Sequence, residues 1–361
     1  MKLLFYTNIP SPYRVNFLNQ LCKYMEVDVL FDGYDEDGRN NKWYKDNKYD
    51  FKAIQIKNFK TINQTLKNHY DIILIGTYAT IYGGYFIELL HLKKIPFLFN
   101  ADGGFVDKND NFITKFLKTF FISKASYYLS SGKETNKYLT AYGADENKIF
   151  LYPFSSLDKE DILDKPISYK NKLILRKQKG YNYKRVFISI GNFIERKGYD
   201  LFIKAIKDNN FIDTCFLIIG GGPLLDEYKQ TIKDYNLKNI FLIDFLNKKE
   251  IFEYLKMADV FFFPSRQDIW GLVINEAMSQ GLPIISSDNV IASKELLDDK
   301  YLYDPNDLNK QYSLINEFIY KTNEELEDIG QVNLNKIMDY TIENMVHRHL
   351  EIFNEVLRNA K

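Results

Sequence analysis

The sequence contains little cysteine. Cys22 and Cys215 are the two cysteines in 361 residues, and they lie far apart in the chain. A disulfide scaffold or a cysteine-based zinc site needs more cysteines at closer spacing, so both classes are excluded. The two thiols are expected to be buried apolar side chains in a reducing compartment.

The sequence also lacks an excess of either charge and any long hydrophobic run. Lys plus Arg and Asp plus Glu both number 48, so no positive field favours nucleic-acid binding. The longest uncharged stretch, 72–87, is interrupted by glycines and is shorter than the roughly 18 to 20 apolar residues of a spanning helix. The apolar run at 1–7 is too short for a signal peptide. We therefore expect a cytoplasmic protein without a membrane-spanning segment.

The composition that remains is that of a globular protein. At roughly 150 residues per domain, the length predicts two domains. Short apolar runs alternate with segments of helical period in two series, which is typical of βαβ units around parallel sheets. The sequence predicts an α/β fold with two doubly wound domains at 1–165 and 184–340, joined by a linker at 166–183. Ligands in such sheets bind at the carboxyl ends of the strands, so one substrate per domain is expected.

Each series predicts six strands. The first series predicts strands at 2–7, 27–31, 71–75, 96–100, 127–130 and 149–151. The second predicts strands at 186–190, 215–219, 240–243, 260–263, 283–286 and 301–303. From residue 307 onward the pattern predicts helix, and its last amphipathic segment is 341–358.

The most informative segment is 263–281, which reads FPSRQDIWGLVINEAMSQG. Asp268 lies in the loop after a predicted strand, and the helix that follows has no obvious side chain to cap its first turn. Its first backbone amides would then be free to bind a phosphate: Gly271, Leu272 and Val273. Glu276 lies one turn further along and could bind two ribose hydroxyls. A buried turn with a solvated Glu276 explains the same pattern equally well.

A second motif, GNFIERKG at 191–198, directly follows a predicted strand. Gly191 permits close approach of the backbone to a ligand, and Arg196 and Lys197 place two cations at the carboxyl edge of the sheet. A diphosphate would satisfy both cations without a divalent metal. An exposed basic loop is the alternative.

Together with a GGGP turn at 220–223, these motifs resemble the retaining glycosyltransferases of family four, which have the GT-B fold. The resemblance covers 186–287. The GGGP segment itself is predicted to form a tight turn into the next helix. The resemblance implies two Rossmann-like domains that face a central cleft and a C-terminal helix, 341–361, that returns to the first domain. It also implies a nucleotide-sugar donor, most consistently a UDP-sugar, and a role in bacterial capsular, exopolysaccharide or other surface-glycan synthesis.

The resemblance assigns roles to particular residues. The two-glutamate motif of the family falls on Asp268 and Glu276, so the first acid is one methylene shorter than usual. Asp268 would contact the transferred sugar, and Glu276 the ribose. The donor-binding residues would be Gly191, Asn192, Arg196, Lys197, Gly271, Leu272, Val273 and Glu276. The implied mechanism is front-face attack, in which the protein stabilises charge on the leaving diphosphate without a metal or other cofactor.

Candidate acceptor-binding residues lie in the first domain. The loop at 9–14, IPSPYR, departs from the glycine-rich loop of the family, and Tyr13 and Arg14 could meet an anionic acceptor. Asp102 and Gly103 follow a predicted strand, and Asp102 could orient or deprotonate the acceptor hydroxyl. A plain Asp-Gly-Gly turn is an equally good interpretation.

The segment 112–124, FITKFLKTFFISK, alternates aromatic residues with lysines. This mixture is expected of a helix on an anionic membrane surface, although helices that cover a sheet are also amphipathic. The expected partners are therefore a nucleotide-sugar donor, a glycan or lipid-linked glycan acceptor and an anionic membrane surface. The location would then be the inner face of the cell membrane.

Other functions remain compatible with parts of the sequence. A non-catalytic glycosyltransferase-like subunit would bind glycan or a partner enzyme, and Asp268 in place of glutamate is the feature that favours it. An epimerase or a phosphorylase shares the architecture, although the cofactor lysine motif of phosphorylases is missing. The triplet Asp35–Glu36–Asp37 resembles metal-binding acids of the other glycosyltransferase fold, but a solvated loop is the stronger interpretation.

Overall fold

The computed structural model describes residues 1–33, 48–106, 110–207, 211 and 213–359. The chain divides into two compact units. Unit 1 comprises Met1–Ser156 and Tyr340–Lys361, and unit 2 comprises Leu157–Asp339.

The core of unit 1 is a parallel sheet of seven strands. These are β1 (Lys2–Thr7), β2 (Glu26–Phe31), β3 (Lys52–Gln55), β4 (Ile72–Ile75), β5 (Leu98–Ala101), β6 (Tyr127–Ser130) and β7 (Ile149–Leu151), in the order β3-β2-β1-β4-β5-β6-β7. The connecting helices are α1 (Pro12–Leu21), α2 (Phe59–Thr65), α3 (Ile81–Leu92), α4 (Phe112–Ile122) and α5 (Lys133–Ala141). All four residues of β4 and of β5 are buried, because both faces of a parallel sheet are covered.

Unit 2 repeats this architecture around a parallel sheet of six strands. These are β8 (Arg185–Ile190), β9 (Thr214–Ile219), β10 (Ile240–Ile243), β11 (Val260–Phe263), β12 (Ile284–Ser287) and β13 (Leu302–Tyr303), in the order β10-β9-β8-β11-β12-β13. Its helices are α6 (Tyr169–Gln178), α7 (Tyr199–Ile206), α8 (Leu225–Asp234), α9 (Lys248–Met257), α10 (Leu272–Ser279), α11 (Ile291–Leu296), α12 (Leu308–Tyr320) and α13 (Asn323–Ile337).

The strand order of each sheet reverses at one point. The reversal lies between β1 and β4 in unit 1 and between β8 and β11 in unit 2. Ligands of doubly wound sheets bind beyond the carboxyl ends of the strands at such switch points. The predicted α/β fold with two doubly wound sheets is confirmed, and each sheet offers one such place.

The last helix, α14 (Ile342–Asn359), belongs to unit 1 and packs against α1. The rings of Phe17 on α1 and His349 on α14 lie 4.7 Å apart. Within the described residues, no helix combines the length and the apolar character needed to cross a lipid bilayer.

The segment predicted as a linker, 166–183, lies within unit 2 and contains α6. The buried side chains of α6 are Lys172 and Arg176, and the Arg176 guanidinium lies 2.6 Å from the carboxylate of Asp259. Because the inward face of this helix is charged, the hydrophobic pattern that marks the other helices is missing from its sequence.

Candidate functional site

The loop after β8 approaches the loop after β11 at the carboxyl edge of unit 2. Gly191 follows β8 directly, and a short 3-10 turn, Glu195–Lys197, leads to Gly198 in the left-handed conformation with φ of 69°. A Cβ atom on Gly198 would lie 2.1 Å from the carbonyl oxygen of Pro264. Glycine is therefore required where the two loops touch.

Three predicted charged residues meet between these loops. The Lys197 Nζ lies 2.5 Å from the Asp268 Oδ2, and the Arg196 Nη1 lies 3.4 Å from the same oxygen. Arg196 also donates a hydrogen bond of 2.7 Å to the carbonyl of Gln267. Lys197 is buried, whereas the side chain of Arg196 is 47% exposed. The structure thus brings Arg196, Lys197 and Asp268 together, with Arg196 facing solvent.

Asp268 is ionised in this environment. Burial acts to raise the pKa of its carboxyl group, but the ammonium of Lys197 and the guanidinium of Arg196 outweigh burial, so the pKa lies below its ordinary value. The backbone amide of Asp268 donates to the carbonyl of Asn289, which fixes the loop. The ion pair with Lys197 and the anchored loop therefore hold the carboxylate in one place.

Arg266 is a site residue that the sequence did not reveal. Its guanidinium forms two bonds to Asp200 on α7, at 2.7 and 2.8 Å, and a third of 2.6 Å to the carbonyl of Glu195. Its backbone amide donates to the carbonyl of Arg196 at 2.8 Å. Arg266 therefore fixes the loop that carries the two cations. Its partners are more than 60 residues away in sequence, so no local motif signals this role.

The helix after Asp268 begins as predicted. Gly271 precedes α10 with φ of 95°, and no side chain caps the helix. A Cβ atom on Gly271 would lie 2.8 Å from Val290 Cγ1, so the glycine also permits close packing. Leu272 and Val273 form the first turn and Glu276 the second, and all three are half-buried. The positive end of the helix dipole and the backbone amides of the first turn can accept an anion there.

The GGGP turn packs against the loop after β8. A Cβ atom on Gly220 would lie 2.0 Å from the carbonyl oxygen of Gly191, and the amide of Phe193 donates to the carbonyl of Gly221 at 2.8 Å. Asn192 lies between these contacts and is exposed. The tight turn predicted at 220–223 thus shapes the loop that contains Gly191 and Asn192.

A second polar cluster lies at the carboxyl edge of unit 1 and contains the predicted acceptor residues. The guanidinium of Arg14 forms an ion pair with Asp102, and Tyr13 donates to the same carboxylate at 3.1 Å. Tyr152 and Asn100 donate to its other oxygen at 2.7 and 2.6 Å. With four donors, the lone pairs of Asp102 are largely occupied, which favours a positioning role over proton abstraction. Gly103 follows Asp102 and is half-buried.

The membrane prediction for 112–124 needs one correction. The segment forms α4, but two of its three lysines are ion-paired within unit 1: Lys118 with Asp110 at 2.6 Å, and Lys124 with Glu88. Lys115 is exposed. The exposed surface of the helix is instead mainly a stripe of large apolar side chains: Phe112, Ile113, Phe116, Leu117 and Phe120.

The acidic triplet Asp35–Glu36–Asp37 lies outside the described residues. In the part of the chain that the structure describes, no group of three or more His, Cys, Asp or Glu side chains could hold a metal ion.

Comparison with known proteins identifies a matching family and several relatives. Residues 171–333 match the family model of the group 1 glycosyl transferases. An uncharacterized glycosyltransferase of Methanocaldococcus jannaschii is 32% identical over 163 residues, 43% of this chain and 43% of that protein. The UDP-Gal:alpha-D-GlcNAc-diphosphoundecaprenol alpha-1,3-galactosyltransferase of Escherichia coli is 32% identical over 186 residues, 48% of this chain and 46% of that protein. The chain thus spans about half the length of the curated relatives it matches.

The similarity in fold extends over the whole chain. The Anabaena protein Alr3699/HepE, solved in complex with UDP and glucose, superposes with a TM-score of 0.78 over 98% of this chain and all of the other, at 15% identity. The GT-B fold expected from the motif order is confirmed. The family resemblance is confirmed as well, since residues 171–333 match the group 1 glycosyl transferases.

Proposed function

We propose that the protein is a retaining glycosyltransferase that moves a sugar from a UDP-sugar to a glycan or a lipid-linked glycan. The observation that carries this proposal is the cluster of Arg196, Lys197 and Asp268 at the switch point of unit 2. The N-terminus of α10, which has no side-chain cap, begins four residues beyond Asp268. A nucleoside diphosphate needs such a combination of fixed cations and free amides.

The proposed chemistry is the transfer of a glycosyl group. The bond between the anomeric carbon and the diphosphate oxygen breaks, and the electron pair stays on the diphosphate. Arg196 and Lys197 stabilise the charge that develops there, and the amides of 271–273 cap the distal phosphate. The acceptor hydroxyl attacks from the same face and its proton passes to the leaving diphosphate, which retains the anomeric configuration. No metal takes part in this proposal.

Asp268 and Glu276 would orient the donor. Lys197 holds the carboxylate of Asp268 in place, so Asp268 can accept hydrogen bonds from hydroxyls of the transferred sugar. Glu276 would bind the two hydroxyls of the ribose from the second turn of α10. The other donor contacts would come from the backbone around Gly191 and Asn192.

The comparisons support the choice of donor and acceptor. A structural neighbour of the same fold was solved with UDP and glucose, and the Escherichia coli relative is named for a UDP-Gal donor and a diphosphoundecaprenol-linked acceptor. We therefore assign a UDP-sugar and a lipid-linked glycan, with a role in surface-polysaccharide synthesis. The unit 1 cluster of Arg14, Tyr13 and Asp102 would face the acceptor.

A lipid-linked acceptor requires contact with the membrane, and α4 offers a surface for it. Five large apolar side chains are exposed along this helix of 11 residues, which contains no acidic residue, and Lys115 adds an exposed cation among them. This chemistry fits the interface of an anionic bilayer. We place the protein on the cytoplasmic face of the membrane as a peripheral protein.

Nucleotide binding and sugar transfer test the proposal together. UDP should raise the melting temperature more than GDP or ADP, because binding to the folded state alone stabilises it. With UDP-glucose or UDP-galactose and lipid-linked glycans, the product should keep the anomeric configuration of the donor, as read by NMR. The absence of a shift with every nucleotide would contradict a donor site. UDP binding without turnover would instead support a non-catalytic subunit.

A further inference from the structure

Strand β2 carries two aspartate–tyrosine pairs, one near each end. Asp28 accepts a hydrogen bond of 2.7 Å from Tyr70 near the amino end. Asp32 follows the carboxyl end and accepts from Tyr6, whose Oη lies 2.8 and 2.7 Å from the two carboxylate oxygens. Asp28 is buried, whereas Asp32 is half-buried. Both aspartates accept a hydrogen bond from a tyrosine hydroxyl, and Asp28 also lies 3.8 Å from the Lys2 Nζ. The pairs differ in position, since Asp32 lies at the carboxyl end of the strand, where ligands of parallel sheets bind.

The pair at the carboxyl end is held rigidly. Tyr6 on β1 is fully buried, and its Oη lies 2.5 Å from the Oγ1 of Thr80. Thr80 caps α3 by accepting from the amide of Gly83 at 3.0 Å. A Cβ atom on Gly83 would lie 3.1 Å from the Tyr6 Oη, so a small residue is needed there. Tyr6 on β1 and Thr80 at the start of α3 thus fix the Asp32 carboxylate, which directly follows β2.

The carboxylate of Asp32 retains acceptor capacity. An ionised carboxylate offers about four lone-pair sites, and the hydroxyls of Tyr6 and Thr80 can supply two hydrogens at most. In the described part of the chain, no cation lies within ion-pair distance of Asp32. The carboxylate of Asp102 has less remaining capacity than that of Asp32, since it accepts hydrogen bonds from four side chains, one of which is Arg14. Burial raises the pKa of Asp32 and outweighs the opposing effect of the hydrogen bonds with Thr80 and Tyr6.

We propose that the Asp32 carboxylate accepts a hydrogen bond from a hydroxyl of the acceptor saccharide and so determines how the acceptor is positioned. This inference rests on the proposed sugar transfer and names a substrate contact on unit 1. A polyol suits the site because its hydroxyl donates to the remaining lone pairs. Tyr6 acts as a positioning residue, since it reaches the saccharide only through Asp32.

The test compares both pairs on the same strand. Asp32→Asn and Tyr6→Phe are measured beside their matched controls, Asp28→Asn and Tyr70→Phe. The probes are octyl glucoside and octyl N-acetylglucosaminide as acceptors, with UDP-glucose and UDP-galactose as donors. Asp32→Asn should raise the KM for the acceptor about tenfold, the size expected for a hydrogen bond to a charged group. Tyr6→Phe should raise it less, and the controls should keep the wild-type KM.

Three further readouts separate this inference from the proposed function. The shift in melting temperature caused by UDP and the hydrolysis of the donor by water should be unchanged in Asp32→Asn. Carboxyl-¹³C NMR of the wild-type protein should show a change at Asp32 when either octyl glycoside is added, even if neither accepts sugar. A wild-type acceptor KM in Asp32→Asn, or no NMR change at Asp32, would overturn the inference. If UDP does not change the melting temperature of the wild-type protein, the proposed donor site is refuted instead. Asp32→Glu serves as a second variant if Asp32→Asn does not fold.

Discussion

Lys197 and Asp268 form an ion pair that joins the loops after β8 and β11, with the ammonium 2.5 Å from the carboxylate. Both side chains are nearly buried, and the aromatic ring of Phe263 lies 4.6 Å from the Lys197 Nζ. The pair places a cation proposed to bind diphosphate beside an acid proposed to bind the sugar. Loss of the buried Lys197 should therefore reduce both the stability of the protein and its proposed activity. Loss of the exposed Arg196 should reduce the activity but have little effect on stability.

Lys197→Met and Arg196→Gln should have different effects. Lys197→Met leaves the carboxylate of Asp268 buried without its closest partner, and should lower the free energy of unfolding by about 3 kcal/mol together with activity. Arg196→Gln should lower kcat but change the free energy of unfolding by less than about 1 kcal/mol, because its ion pair is exposed. Urea denaturation and steady-state kinetics measure the two quantities. Lys179→Met, which removes an exposed ion pair with Glu253, is the control and should keep full activity. Equal losses of stability in Lys197→Met and Arg196→Gln would contradict the different structural roles assigned to the two cations.

Glu276→Ala should abolish or severely weaken use of the donor. Charge-assisted hydrogen bonds to ribose hydroxyls contribute about 1.5 to 3 kcal/mol, so UDP affinity should fall by about 10-fold to 100-fold. The melting temperature without nucleotide should change little, because Glu276 is half-buried on the second turn of α10. Calorimetric titration with UDP measures the effect, and Glu253→Gln on α9 is the control. Full transferase activity in a folded Glu276→Ala protein would contradict the proposal that Glu276 binds the ribose of the donor.

The fold could be predicted where burial produces continuous apolar runs. Strands such as β4 and β11 are buried along their whole length, so their sequences, IILI and VFFF, are sufficient. Strand β3 and helix α2 were missed. Strand β3 lies at the sheet edge with exposed ends, and α2 has seven residues with two of them buried, so neither has a distinct period.

The site could be predicted where its residues are consecutive in sequence. The loops that contain Arg196, Lys197 and Asp268 each follow a recognisable strand, and the family resemblance connects them. Contacts between distant residues could not be predicted. Arg266 meets Asp200 from 66 positions away, and Tyr6 meets Asp32 from 26. Such pairs depend on the strand order, which no single motif encodes.

His349 makes stability depend on pH. Burial is the main cause that lowers its pKa to about 4; Arg14 and Arg348 act in the same direction, and the Met345 carbonyl and Asp102 oppose them. Between the unfolded pKa of about 6.5 and this value, the unfolded state binds a proton that the folded state does not, so stability falls as pH falls. From pH 7 to pH 5 the loss should be about 2 kcal/mol.

Two variants isolate this effect in urea denaturation at pH 7 and pH 5. His349→Gln should lose about 2 kcal/mol less than the wild-type protein between the two pH values. His347 lies two residues away on α14 and is exposed, so His347→Gln should keep the wild-type dependence. An unchanged pH dependence in His349→Gln would show that another group is responsible.

Sugar transfer should not require a divalent metal. In the proposed mechanism Arg196 and Lys197 neutralise the leaving diphosphate, which is the work that a metal ion would otherwise do. Activity after dialysis against EDTA should equal that of the untreated protein, and added Mg²⁺ or Mn²⁺ should not raise it. Loss of activity that either metal restores would contradict this mechanism while leaving the UDP site unaffected.

The apolar stripe on α4 should bind anionic membranes. Phe112 and Phe116 are 84% and 56% exposed and lie one helical turn apart. Burying two such rings in a bilayer contributes about 1.5 to 3 kcal/mol each, and Lys115 adds about 1 kcal/mol near anionic lipid. The double variant Phe112→Ser and Phe116→Ser should therefore no longer sediment with phosphatidylglycerol vesicles at low salt, and Lys115→Glu should weaken sedimentation. Lys118 and Lys124 are unsuitable for this test, because their ion pairs with Asp110 and Glu88 stabilise unit 1.

The control for this prediction removes equally exposed apolar side chains from unit 2. Tyr320 and Val332 are 77% and 65% exposed on α12 and α13, so Tyr320→Ser with Val332→Ser should leave vesicle binding unchanged. The α4 variant should also lose transfer to a lipid-linked acceptor but retain hydrolysis of UDP-sugar, because the proposed donor residues lie in unit 2. If α4 instead packs against a second copy of the chain, light scattering would show a wild-type dimer that the α4 variant converts to a monomer, and wild-type protein would not sediment with the vesicles. That result would contradict membrane contact, since one apolar stripe cannot be buried in both places at once.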